Sequence, residues 1–186
     1  MKVIDYTIPF PDWSGADFKV DYYEAKNIAD RRINNLPESH VFRTTYREDG
    51  RNWILGAMGE IAFSMWTGLP MNDEHITEYG DNGLDFWLNF DKLKLDVKVA
   101  EKPYNLLEKV HKIKRGNCSD VYVLGRANIS TGWVSFLGFE YVEALQDAPE
   151  KLFHENGKID KYIHWTTLRS LAELETLLRR NNAFGE

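Results

Sequence analysis

Three charged side chains have the types and the spacing that metal-dependent hydrolysis of a phosphate ester requires. Asp85 lies in one alternating segment of the 186-residue chain, and Asp96 and Lys98 lie in the next segment. Two carboxylates that converge on a sheet repel each other unless a cation lies between them. Mg²⁺ is typically held by one or two carboxylates with water and a substrate phosphate, and a nearby lysine can orient the attacking water. This chemistry requires a fold that brings the three side chains together.

Residues 84–99 alternate between apolar and polar side chains on both sides of Asp91 and Lys92. Period two on both sides of a polar pair predicts a β-hairpin with one buried face. If Asp91 and Lys92 form the turn, the apolar pairs are Phe90 with Leu93, Leu88 with Leu95, Phe86 with Val97, and Leu84 with Val99. The polar pairs are then Asn89 with Lys94, Trp87 with Asp96, and Asp85 with Lys98. A slightly longer turn or a bulge is an alternative, since neither turn residue is glycine.

Asp85 followed by Asp96-Val97-Lys98 resembles the motif of the PD-(D/E)xK nuclease superfamily, which has the restriction-endonuclease-like fold. The resemblance implies that Asp85 and Asp96 are catalytic metal ligands, with the Val97 backbone carbonyl as a third ligand. It implies that Lys98 positions the hydrolytic water, and that the cofactor is Mg²⁺, with Mn²⁺ as a substitute. The alternative is a two-stranded ribbon with a solvated, salt-bridged face, because surface ion pairs of this kind contribute only about 0–1 kcal/mol.

Residues 52–67 have apolar side chains at helical spacing and predict a helix ahead of the hairpin. Glu60 lies off the apolar stripe, next to Gly59 and one turn after Gly56. Glycine inside a helix costs about 1 kcal/mol relative to alanine, so the two glycines indicate a close approach to this helix. The resemblance implies that Glu60 is a catalytic residue and a metal ligand, directly or through water. The alternative is an ordinary surface glutamate on an amphipathic helix.

The other elements follow from periodicity and from breaking residues. The predicted strands cover residues 3–8, 75–79, 120–126, 132–138 and 161–165. The predicted helices cover residues 21–36, 103–113 and 139–145. A last predicted helix is capped by Thr166 or Thr167 and ends near Arg180. Over residues 52–126, the predicted order is a helix, three strands, a helix and a strand. This is the αβββαβ order of the resembled superfamily. The sequence thus predicts a single domain over 1–186, with a mixed α/β (α+β) sheet, an N-terminal helix and C-terminal strand and helix additions.

A basic cluster surrounds the end of the predicted helix over 103–113. Its members, the candidate nucleic-acid-binding residues, are Lys102, Lys109, Lys112, Lys114 and Arg115. Cations at a helix C-terminus also interact favourably with the helix dipole, so a structural role is the alternative. The net charge of −6 provides no global basic field, and any nucleic-acid contact must come from a local patch.

Composition is that of an ordinary globular chain, with 43% hydrophobic residues and one cysteine. Cys118 has no second cysteine for an internal disulfide, which favours a reducing compartment. Residues 1–11 do not resemble a signal peptide, and no apolar run is long enough to span a bilayer. A cytoplasmic location without membrane contact is therefore expected.

Taken together, these features predict a metal-dependent nuclease that hydrolyses phosphodiester bonds. The resemblance favours DNA over RNA as the partner, and it leaves open endonuclease or exonuclease action and a homodimer whose subunits cut opposite strands. A non-catalytic module on the same fold, binding nucleic acid or another protein, is the alternative function. An enzyme for another phosphate substrate is a third reading, although no glycine-rich phosphate loop supports it.

Overall fold

The computed structural model describes residues 17–34, 50–71, 84–88, 91–152 and 159–181. The strands of these ranges are β1 (Asp17–Lys19), β2 (Phe86–Leu88), β3 (Leu93–Ala100), β4 (Asn105–Lys109), β5 (Val121–Asn128), β6 (Trp133–Tyr141), β7 (Glu150–Leu152) and β8 (Ile159–His164). The α-helices are α1 (Tyr22–Asn34), α2 (Gly50–Thr67), α3 (Val110–Lys114), α4 (Val142–Asp147) and α5 (Leu171–Arg180). The mixed α/β class is therefore confirmed, whereas the predicted strands over 3–8 and 75–79 lie outside the described residues.

A five-stranded mixed sheet, in the order β1-β6-β5-β3-β2, forms the main scaffold. β3 and β5 are parallel, and the other neighbouring pairs are antiparallel. Val121 and Val123 of β5 join the main core with α2, whereas Tyr122 and Leu124 join a second core with Leu106 of β4. Both faces of β5 are covered, which explains why its sequence is a continuous apolar run rather than an alternating one.

The hairpin of β2 and β3 forms as predicted, but its register is shifted by two residues. Phe86 pairs with Leu95 and Leu88 pairs with Leu93, so the predicted apolar partners are wrong. Trp87 correspondingly pairs with Lys94, and the Asp85 N–H donates to the Leu95 carbonyl at 3.0 Å rather than lying opposite Lys98. The polar partners predicted for Trp87 and Asp85 are therefore also wrong.

A longer turn explains the shift of the hairpin. Residues 89–92 connect the two strands, and Lys92 has a positive φ of 55°. A two-residue type I′ turn requires positive φ at both central positions, which Asp91 and Lys92 do not favour. Because side chains alternate with period two, a shift of two residues exchanges the partners but leaves every side chain on its predicted face.

α2 approaches β3 closely at Gly59, as the two glycines of the helix indicate. A Cβ added at Gly59 would overlap a methyl group of Val99 and lie 3.1 Å from the Val99 Cβ. At Gly56, by contrast, no described atom outside the helix backbone lies within 4 Å of an added Cβ. Gly59 therefore serves helix–strand packing, whereas Gly56 leaves space beside the helix.

These two glycines give a matched pair of stability predictions. Gly59→Ala is expected to lower the free energy of unfolding by about 1–3 kcal/mol, because it overpacks the contact with Val99. Gly56→Ala is the control and should raise the free energy of unfolding by about 0.5–1 kcal/mol, because alanine is favoured inside a helix. Urea unfolding measures both values, and stabilisation by both variants would contradict the packing role of Gly59.

The predicted helix over 103–113 is largely wrong. Residues Asn105–Lys109 form β4, and only Val110–Lys114 are helical. β4 pairs with β8 in a separate three-stranded sheet, in the order β4-β8-β7. Leu106 and Glu108 are buried while their neighbours are less so, which is the alternation of a strand. Pairing with a distant strand thus overrides the local helical pattern, and the αβββαβ order is not reproduced in this segment.

The remaining predicted elements are found with shifted ends. α1 begins after Asp21, whose Oδ1 accepts the Tyr23 N–H at 2.7 Å, as the predicted cap requires. The last helix begins later than predicted, because Ser170 and Glu173 form a reciprocal capping box at its start. The predicted caps at Thr166 or Thr167 are therefore wrong, and these residues belong to a short 3₁₀ turn, Trp165–Thr167.

No helix in the described ranges combines the length and the apolar character that a membrane span requires.

Candidate active site

All four predicted catalytic residues line one pocket of about 270 Å³ at the edge of the main sheet. Its walls include Arg32 of α1, Gly56 and Glu60 of α2, Asp85 just before β2, and Asp96 and Lys98 of β3. Residues that are 38 positions apart in sequence, from Glu60 to Lys98, thus meet at one place. The four side chains that the resemblance implies therefore border the same pocket.

The pocket lies at the edge of the main sheet, beside the part of β3 that extends beyond the end of β2. Asp96 and Lys98 are level with Tyr122 and Leu124 of β5, on the face that carries the second core. Glu60 belongs to α2, which covers the opposite face. Glu60 and the two residues of β3 thus come from elements on opposite faces of the sheet, although all three line the pocket.

Asp85 and Asp96 are buried carboxylates, with 7% and 3% of their surfaces exposed. The Asp85 Oδ2 accepts the backbone N–H of Val97 at 2.7 Å, so this side chain takes the place of a main-chain partner beyond the end of β2. The N–H and C=O of one strand residue point to the same edge. The Val97 carbonyl therefore lies at the edge where the Asp85 carboxylate is held.

Lys98 is held by two carboxylates and an aromatic ring. Its Nζ lies 2.6 Å from Asp96 Oδ2, 3.9 Å from Glu108 Oε2 and 5.8 Å from the centroid of the Tyr122 ring. Burial lowers the pKa of Lys98, but the charges of Asp96 and Glu108 outweigh it and raise that pKa above its ordinary value. Without a metal ion, Lys98 is therefore a protonated donor at neutral pH.

Glu60 forms a bidentate ion pair with Arg32 that sequence analysis did not find. Both N–O distances, from Nη1 to Oε1 and from Nη2 to Oε2, are 2.5 Å. The two side chains are 5% and 13% exposed, respectively. Both oxygens of Glu60 thus accept from the guanidinium. The two residues are 28 positions apart on different helices, so no local pattern could have indicated the pair.

Glu108 is a second residue that sequence analysis missed. It is 4% exposed, lies on β4 and reaches Lys98 from the three-stranded sheet. The sequence predicts a helix for this segment, in which Glu108 is one of several polar positions. The alternation of Leu106 and Glu108 with their less buried neighbours was the available signal for a strand.

The basic cluster does not belong to the pocket. None of its five members is among the described residues that line the pocket walls. Lys109 ends β4, Lys112 and Lys114 lie on α3, and Arg115 follows that helix as its C-cap. Lys102, Lys114 and Arg115 are exposed. A contact of this cluster with nucleic acid stays a prediction.

The donor set suits a hard divalent cation. Within the described ranges, no group of three or more His, Cys, Asp or Glu side chains is arranged to hold a metal ion. Mg²⁺ does not need such a group, because it keeps several waters and binds through one or two carboxylates and substrate oxygens. The buried carboxylates of Asp85 and Asp96, with the Val97 carbonyl, are the residues that could hold Mg²⁺ or Mn²⁺, since both ions prefer oxygen ligands.

Comparison with known proteins yields no family model, no curated protein and no solved structure that matches this chain. Membership of the PD-(D/E)xK superfamily therefore stays a prediction from the motif.

Proposed function

We propose that this protein is a metal-dependent nuclease that hydrolyses phosphodiester bonds in DNA. The observation that supports it is the convergence of Glu60, Asp85, Asp96 and Lys98 on one pocket, although they come from separate segments. An ordinary solvated ribbon would leave these acids exposed, whereas each of the three is less than 10% exposed. Burial of several carboxylates around a pocket with a lysine is typical of a catalytic site.

The proposed roles follow from the chemistry of each group. Asp85, Asp96 and the Val97 carbonyl would hold Mg²⁺, which supplies positive charge opposite the phosphate oxygens and acidifies water when it is bound. Lys98, which contacts Asp96 in the metal-free site, donates hydrogen bonds that orient the attacking water and stabilise charge on the phosphate. The water's proton goes to solvent or to another acceptor, since Lys98 is already protonated.

Glu60 is assigned an indirect role. Both of its carboxylate oxygens accept from Arg32, so we place Glu60 around the ion through water rather than as a direct ligand. Arg32 itself lines the pocket, and a guanidinium is well suited to bidentate contact with a phosphate. The pair thus brings a phosphate-binding group to the same pocket as Lys98.

We also propose the restriction-endonuclease-like arrangement for the elements that carry the site. The order of α2, the β2–β3 hairpin and the parallel strand β5 along the chain supports this proposal. The connection between β3 and β5 departs from it, because β4 and the short α3 replace a longer helix. An experimental structure that shows α2 on the other face of the sheet would exclude this arrangement.

Cleavage assays test the proposed function. Purified protein is incubated with supercoiled plasmid, single-stranded DNA and RNA in Mg²⁺, Mn²⁺ or EDTA, and nicking of DNA is expected only with a divalent ion. Lys98→Gln is expected to lower kcat at least about 100-fold, because it removes a charged donor from the transition state. The control Lys94→Gln changes an exposed lysine on the same strand and should retain wild-type kcat.

A non-catalytic nucleic-acid-binding or protein-interaction module is the second candidate function. The ion pair that engages both oxygens of Glu60 favours it, since this carboxylate is already neutralised without a metal. Binding of DNA that is unaffected by EDTA, without cleavage in any metal, would support the module and exclude the nuclease.

A further inference from the structure

Glu108 is a buried carboxylate that lies close to Lys98, the lysine of the proposed site. Its Oε2 lies 3.9 Å from the Lys98 Nζ, and its Oε1 accepts the backbone N–H of Lys109 at 2.7 Å. Lys161, its neighbour in register on β8, donates instead to two backbone carbonyls at 2.7 and 2.9 Å. Among the described residues, Lys98 is therefore the cation with which Glu108 pairs.

Lys98 lies between two anions that belong to different sheets. Asp96 contacts its ammonium at 2.6 Å from the same strand, and Glu108 lies at 3.9 Å from β4. A divalent ion held by Asp96 would repel the ammonium and weaken its attraction to that carboxylate. Glu108 is not among the proposed ligands, so its attraction for Lys98 would persist in the loaded site.

We propose that Glu108 is a positioning residue that holds Lys98 in its working place once Asp96 is engaged by the metal ion. The three-stranded sheet is then part of the catalytic apparatus, because β4 delivers this carboxylate. The inference rests on the proposed function, since it gives Lys98 the task of orienting water. Glu108 contacts no reacting atom and acts through Lys98.

A double-mutant cycle with Glu108→Gln and Lys98→Gln tests the inference. Glu108→Gln keeps an oxygen acceptor for the Lys109 N–H but loses the charge that faces Lys98. It is expected to lower kcat about 10- to 100-fold with little change in KM. In the Lys98→Gln background the same change should cause no further loss. Glu150→Gln, an exposed carboxylate of the same small sheet, is the control and should keep wild-type kcat.

Two results would overturn the inference. One is wild-type kcat in Glu108→Gln, and the other is an equal fold-loss in both backgrounds, since a merely structural role would add to the loss from Lys98→Gln.

Thermal unfolding of the same four proteins without metal separates this inference from the proposed function. If Glu108 holds Lys98, the Tm loss of the double variant is smaller than the sum of the two single losses. Additive losses would refute the link between the two residues, even in an active nuclease. A wild-type protein that cleaves no nucleic acid would instead refute the proposed function, together with the catalytic part of this inference.

Discussion

Asp96→Asn is expected to reduce Mg²⁺-dependent cleavage by at least about a thousandfold. The substitution preserves the shape of the side chain but removes the negative charge that is proposed to hold the metal ion and that contacts Lys98 at 2.6 Å. Lys98 retains Glu108 as an anionic partner, so the fold should persist. Initial rates of plasmid nicking over a range of Mg²⁺ concentrations measure the effect.

A matched control and a folding check accompany this substitution. Asp147→Asn makes the same chemical change at an exposed position of α4 and should leave the rate unchanged. Circular dichroism should show the same helix content for wild type and both variants. Cleavage by Asp96→Asn within tenfold of wild type would remove Asp96 from the metal site.

The second large effect concerns stability rather than rate. Arg32→Met is expected to lower the free energy of unfolding by about 3–5 kcal/mol, because it leaves the buried Glu60 carboxylate without its bidentate partner. Urea unfolding at neutral pH measures this value. The control Lys26→Met breaks an exposed, solvent-screened ion pair of the same helix, with Asp30, and should leave the free energy of unfolding nearly unchanged.

Replacing both members of the buried pair distinguishes ion pairing from packing. If Arg32→Met destabilises through the uncompensated charge, then adding Glu60→Met should recover much of the lost stability. If the loss instead reflects packing of the arginine stem, the second substitution should lower the free energy of unfolding further. Equal stability losses for Arg32→Met and Lys26→Met would contradict the assignment of a strong buried pair.

The faces of the hairpin could be predicted from the sequence, whereas its exact partners could not. Alternation determines which side chains are buried, and Phe86, Leu88 and Leu95 are indeed buried. The register depends on the backbone conformation of the turn, where Lys92 takes a positive φ that its residue type does not reveal. A shift by two residues leaves the pattern of apolar and polar positions unchanged, so that pattern alone cannot detect it.

Long-range partners account for what the sequence could not show at the site. The sequence predicts a helix around Glu108, because its strand becomes evident only when β4 is paired with β8, which lies about fifty residues later. Likewise, Arg32 and Glu60 lie on separate helices and have no sequence pattern in common. The proximity of Asp85, Asp96 and Lys98 could be predicted because they lie on or next to adjacent strands, where spacing along the chain translates directly into distance.

Anomalous diffraction from crystals soaked in Mn²⁺ tests the central claim, that one divalent ion binds between Asp85 and Asp96. The account predicts an anomalous peak within about 2.0–2.3 Å of an oxygen of each carboxylate, near the Val97 carbonyl, and its disappearance in Asp96→Asn crystals. A peak elsewhere on the chain with none between these two residues, or no peak at millimolar Mn²⁺, would contradict it.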